Sequence, residues 1–143
     1  GTESQFEYLR YGANFGQVVE NAQKFNKLDN SDFECICTVS IFNVMYLDKY
    51  DDFFKKMNWS VFYNIAHYPS HLQIFNIPEQ VKKSISLSKK FNDVIEYINN
   101  KQCDPVDWQR FVKYTKILDR NRGLAFKNTF PELYNQVKRH GYE

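Results

Sequence analysis

The sequence lacks any long apolar segment. Its uninterrupted apolar runs extend for only a few residues, whereas a helix that spans a bilayer needs about 20. Charged residues make up 25% of the 143 positions, which is typical of a folded domain and too many for a membrane-embedded chain. We therefore expect no membrane-spanning helix and no membrane partner.

The chain also lacks an excess of charge of one sign. Its 19 basic and 17 acidic side chains leave a formal net charge of +2. A protein that binds nucleic acid usually has a strongly basic face. A nucleic-acid partner is therefore not expected.

Cysteine is scarce, and its spacing fits no metal or redox motif. Of the three cysteines, Cys35 and Cys37 are two positions apart in a β-like run, so they point to the same face and cannot easily form a disulfide. With Cys103 they match neither a zinc knuckle nor a C-x-x-C motif. We expect reduced thiols, no metal site and a cytoplasmic protein.

Motifs for phosphate binding and hydrolysis are missing too. The five glycines are scattered, so no glycine-rich phosphate loop exists. Ser40 is not part of a G-x-S-x-G elbow. His67 and His71 are four apart, which is a metal-pair spacing on a helix, but Pro69 between them argues against a regular helix.

The patterns that are present begin with an alternation of helices and strands. Residues 14–28 predict a helix capped by Asn14, and residues 29–32 a turn. Residues 33–42 are nearly all apolar, which favours a strand covered on both faces. A second helix beginning near Asp48 and a strand at 59–66 complete a helix–strand–helix–strand order, which indicates a parallel α/β sheet.

Beyond this sheet the sequence predicts one short strand and then only helices. The short strand is expected at 72–75. Asn76, Asp104 and Thr129 are each placed to cap a helix, and Gly123 is placed to end one.

The predicted sheet is incomplete. Residues 6–12 look like the end of a loop that leads from a strand into a helix. Two apolar parallel strands cannot form a stable sheet by themselves. Another chain, a second copy or an N-terminal segment should complete it, so we expect a homo-oligomer or a missing N-terminal half.

Several segments together resemble the C-terminal half of a radical S-adenosylmethionine (radical SAM) enzyme of phage or bacterial type. They follow the order of that family over nearly the whole chain, and the order is more specific than any one motif. The segments are 7–15 (EYLRYGANF), 38–43 (TVSIFN), 64–69 (NIAHYP), 118–123 (LDRNRG) and 129–133 (TFPEL).

The resemblance implies a partial (half) βα barrel with parallel strands over residues 1–77. Residues 78–143 would form an all-helical C-terminal region packed on it as a single compact unit. The family's cluster-binding C-x3-C-x2-C motif is missing. The resemblance therefore implies S-adenosylmethionine and a 4Fe-4S cluster only in a complete homologous protein, and no cofactor in this chain.

Candidate site residues follow the carboxyl ends of the two strands, where ligands bind in α/β sheets. They are Ser40 and Asn43 after the first strand, and Asn64 and His67 after the second. In the resembled family, polar residues here face the cofactor or substrate, although the two asparagines could equally satisfy backbone groups. Arg10 could meet an anion at the cleft or form a surface ion pair.

Two functional hypotheses follow. The first is a C-terminal fragment of a radical SAM-like enzyme that completes the cofactor and substrate cleft but is catalytically silent alone. The second is a stand-alone small α/β domain for protein interaction or self-association.

Overall fold

The computed structural model describes residues 1–29 and 32–142, and the protein has a mixed α/β fold in which helices predominate. The strands are β1 (Glu34–Val39) and β2 (Ser60–Ile65). The α-helices are α1 (Glu3–Leu9), α2 (Phe15–Phe25), α3 (Leu47–Lys56), α4 (Glu79–Lys82), α5 (Asn92–Asn99), α6 (Pro105–Arg122), α7 (Phe126–Thr129) and α8 (Pro131–Val137).

The two strands pair in parallel, as the sequence predicts. Their register runs from Glu34 opposite Ser60 to Val39 opposite Ile65, and α3 lies between them in the chain. Both strands are shorter than the apolar runs at 33–42 and 59–66. The first ends early because the chain turns at Ser40, whose backbone N–H donates to the side chain of Asn43.

Only one face of this sheet is covered within the described residues. Cys37 and Val39 are buried, whereas Ile36 on the opposite face is 68% exposed. Its neighbour across the ladder, Phe62, is 56% exposed. The prediction of a first strand covered on both faces is therefore wrong: α3 packs against the inner face through contacts such as Tyr63 to Asp51, and no described element covers the outer one.

A cluster of aromatic rings around Phe42 joins the sheet to the helices. Its ring centroid lies 5.1 Å from that of Phe111 and 5.5 Å from that of Phe130. Tyr8 and Phe126 add contacts at 6.0 Å each. Residues before and after position 77 thus share one core, built largely from aromatic area.

Two of the predicted helix boundaries in the C-terminal region are confirmed. Asp104 accepts a hydrogen bond of 2.8 Å from the Val106 N–H, and Pro105 is the first residue of α6. Gly123 ends that helix with φ of 63°, a left-handed conformation that costs glycine little.

The N-terminal part agrees only in part with the sequence pattern. Asn14 caps α2 by accepting from the Gln17 N–H at 2.8 Å, but the helix ends at Phe25 rather than at residue 28. Asn30 and Ser31 of the predicted turn lie outside the described residues. The sequence predicts a loop at residues 6–12, but residues 3–9 form α1, because Tyr8 is anchored in the core.

The predicted strand at 72–75 is wrong. This segment forms 3₁₀ turns at Ser70–Leu72 and Ile74–Asn76. Asn76 does not cap α4, since its side chain donates to the Ser70 carbonyl at 2.9 Å instead. Thr129 does not cap α8 either, because its hydroxyl donates to the carbonyl of Ala125.

In the described part of the chain, no helix combines the length and the apolar character that crossing a bilayer requires.

Candidate ligand cleft at the edge of β1

A cavity of about 600 Å³ lies between β1 and the first two helices. Most of its lining is apolar or aromatic, with a few polar groups among them, which is the usual character of a ligand site. The lining includes Phe6, Leu9 and Arg10 from α1 and its end, Phe15 and Val18 from α2, Cys35–Thr38 from β1, Ser40, Phe42 and Asn43 after it, and Phe54, Trp59, Tyr68 and Tyr114 from elsewhere.

The cavity runs along the free edge of β1. Four consecutive residues of this strand, 35–38, line it. Successive side chains of a strand point to opposite faces. A cavity that meets all four must therefore lie beside the strand edge, on the side away from β2.

The hydrogen-bond pattern shows which backbone groups face this edge. The Ala66 N–H donates to the Val39 carbonyl at 2.8 Å, so the groups of Val39 point toward β2. The backbone N–H and C=O groups of successive residues in a strand point alternately to its two edges. The N–H and C=O of Cys37 therefore also point toward β2, and those of Ile36 and Thr38 point toward the cavity. Within residues 1–29 and 32–142, the Ile36 N–H and C=O have no hydrogen-bond partner at this edge.

Asn43 closes the carboxyl end of the same edge. Its Nδ2 donates to the Thr38 carbonyl and its Oδ1 accepts from the Ser40 N–H, both at 2.8 Å. The side-chain amide thus replaces one peptide group of a neighbouring strand. It is only 2% exposed, so burial without these bonds would be costly.

Arg10 brings a positive charge to the rim of the cavity. Its guanidinium carbon lies 5.8 Å from the centre of the Phe6 ring. Among the described residues, Arg10 is the charged side chain that lines the cavity, and no carboxylate pairs with it there. This cation is available to an anionic group of a ligand.

The structure brings three of the five candidate residues to the cleft. Ser40, Asn43 and Arg10 line it. Asn64 is exposed on the uncovered face of the sheet, opposite Thr38 in the ladder. His67 is exposed as well, and its Nδ1 lies 3.1 Å from the hydroxyl of Tyr97.

The thiols at the cleft are poor nucleophiles. Burial raises the pKa of both Cys35 and Cys37 above that of a free thiol, so both remain protonated near neutral pH. Cys103 is used elsewhere, since its thiol donates to the Asn76 carbonyl at 3.0 Å. Within the described residues, no three side chains of the metal-binding types come together.

Sequence reasoning missed Trp59 as a cleft residue. Trp59 lies just before β2, and the apolar run at 59–66 predicts it as part of that strand. Its ring centroid lies 5.5 Å from that of Phe33 and 5.8 Å from that of Phe53. It lines the cavity, and its buried Nε1 has no hydrogen-bond acceptor among the described residues. No sequence signal separates a cleft tryptophan from a core one.

Comparisons with models of protein families, with curated proteins and with solved structures returned no match. The resemblance to radical SAM enzymes therefore depends on the quoted motifs alone.

Proposed function

We propose that this chain is the C-terminal part of a radical SAM-like enzyme, that it supplies one wall of the cofactor and substrate cleft, and that it is catalytically silent alone. The observation that carries the proposal is the cavity along the free edge of β1, beside a parallel sheet that has only two strands in the described residues.

The uncovered face of the sheet supports this proposal. Ile36 and Phe62 lie side by side on it, while the opposite face packs against α3. In a βα barrel, helices cover the outside and the other face of each strand points into the barrel. Further strands added at the edges would enclose this face.

The cysteines of the chain do not fit a 4Fe-4S cluster. Such a cluster needs thiolates that converge on it. Cys35 and Cys37 lie at the cavity, but Cys103 lies outside it and its thiol donates a hydrogen bond to a backbone carbonyl. Cluster ligands would have to come from another segment or chain, so no catalytic step is assigned to the residues described.

The coding sequence upstream of these residues tests the proposal. We expect an in-frame C-x3-C-x2-C motif, and we expect the longer product to bind iron and sulfide after anaerobic reconstitution while residues 1–143 alone do not. A separate start codon immediately before this segment, with no such motif in a neighbouring gene whose product binds the chain, would contradict it.

A second function, self-association, is favoured by the exposed pair Ile36 and Phe62. Large apolar side chains side by side on an open sheet face commonly mark an interaction surface. Light scattering should then show a dimer or larger species, and the Phe62→Thr variant should shift the protein toward monomer. A strict monomer at high concentration would exclude this second function.

A further inference from the structure

The free edge of β1 presents backbone groups in the arrangement that binds another strand. The Ile36 N–H and C=O and the Thr38 N–H point to the cavity, since the intervening groups point to β2. An exposed edge of this kind binds extended peptides by main-chain hydrogen bonds. Asn43 shows that the edge accepts an amide, because its side chain already pairs with Thr38 and Ser40 there.

The surroundings of the edge define what such a peptide would contain. The facing walls are apolar, with Phe15 and Val18 from α2 and Phe6 from α1. The charged side chain at the cavity is Arg10, which has no carboxylate partner in the described residues, and the amino group of Gly1 adds a second positive charge there. An apolar segment that carries one carboxylate is complementary to both features.

The size of the cavity sets the length of the segment. The strand edge from Glu34 to Thr38 spans about 13 Å at about 3.3 Å per residue, and residues 35–38 of it line the cavity. A cavity of about 600 Å³ is within the usual range for a compact ligand and too small for a folded domain. A segment of about five residues fits the edge.

We infer that the cleft binds an extended apolar peptide that adds to β1 as a third strand and places a carboxylate at Arg10. This inference goes beyond the proposed function, since a further barrel strand would compete with the peptide for the same edge of β1. The peptide is a segment of a separate polypeptide.

Amide hydrogen exchange and chemical shifts of the 143-residue chain, measured by NMR, test the inference. The probe is an acetylated and C-terminally amidated six-residue peptide of alternating valine and threonine that ends in aspartate, titrated to millimolar concentration. We expect protection of the Ile36 and Thr38 amides and no change in the protection of Cys37. The same peptide with every amide N-methylated should not protect them.

The contribution of Arg10 is tested separately. Arg10→Met should weaken peptide binding about tenfold, since a hydrogen-bonded charge typically contributes about that factor. Replacing the aspartate of the probe by asparagine should weaken binding to the wild-type chain similarly and have little effect on the Arg10→Met variant. Arg120→Met, at an exposed position outside the cavity, is the matched control and should bind as the wild type does.

Three results would overturn the inference. The first is no protection of Ile36 and Thr38 at millimolar peptide. The second is their protection without peptide in proportion to protein concentration, which would make a second copy the occupant. The third is an equal response to acetate alone, which would indicate a simple anion site. None of these depends on a cluster motif upstream, so failure here and failure of the proposed enzyme function remain distinguishable.

Discussion

The side-chain amide of Asn43 lies 2.8 Å from the carbonyl of Thr38 and donates a hydrogen bond to it. The same side chain accepts from the Ser40 N–H. Through these two bonds Asn43 ends β1 and closes one end of its free edge. The open part of the edge begins at Ile36, whose backbone N–H and C=O have no partner there among the described residues.

We predict that Asn43→Ala destabilises the protein by about 1–3 kcal/mol, because it leaves two partly buried backbone groups without partners. The Ser40 amide should then exchange faster than in the wild type. Chemical denaturation gives the first quantity and NMR exchange the second. The control is Asn64→Ala at an exposed position of β2, which should change stability by less than about 0.5 kcal/mol.

Equal stability losses at positions 43 and 64 would show that the Asn43 bonds do not hold the end of the strand.

The two faces of β1 should respond differently to a charge. Cys37→Asp buries an unpaired carboxylate in the core and should cost several kcal/mol. Ile36→Asp, one position earlier on the uncovered face, should cost less than about 1 kcal/mol. Denaturant midpoints measured at pH 7 compare the pair, and a large loss for Ile36→Asp in the isolated chain would mean that the outer face is covered.

The buried carboxylate of Asp51 should make stability depend on pH. Burial acts to raise its pKa, but hydrogen bonds from Lys55, Lys90 and Tyr63 outweigh that effect, so the pKa lies below its usual value. Because the folded-state pKa is the lower one, this contribution is fully present above pH about 4 and is lost as pH falls through the folded-state pKa.

We therefore expect Asp51→Asn to lose about 1–3 kcal/mol at pH 7 and to show a weaker loss of stability on acidification than the wild type. Unfolding curves measured between pH 7 and pH 2 provide the comparison. Asp52→Asn, at the exposed neighbouring position of α3, should follow the wild-type curve. Identical acid profiles for wild type and Asp51→Asn would refute the ion-pair assignment.

Local signals in the sequence were sufficient for the elements that depend on local chemistry. The apolar runs around β1 and β2 predicted both strands, and the helix between them predicted parallel pairing. Asp104 and Gly123 marked the ends of α6 because capping and a left-handed turn depend on neighbouring backbone groups.

Features that depend on contacts between residues far apart in the sequence could not be predicted from local patterns. The helix α1 is anchored by Tyr8, whose hydroxyl donates to Asp119 at 2.7 Å across 111 positions of sequence. Likewise, the apolar character of Ile36 suggested burial, yet no described element covers it. The sequence predicts one cleft for all five candidates, but only the packing of α1 and α2 beside β1 shows that Ser40, Asn43 and Arg10 share a cavity without Asn64 and His67.

Hydrogen exchange along β1 in the peptide-free chain tests the central claim most directly, namely that one edge of this strand is open. We predict alternation: slow exchange at Cys35, Cys37 and Val39, whose N–H groups point to β2, and fast exchange at Ile36 and Thr38. The Ser40 amide should be slow because Asn43 accepts from it. Uniformly slow exchange from Cys35 to Val39 would show that the edge is already occupied and would contradict the account.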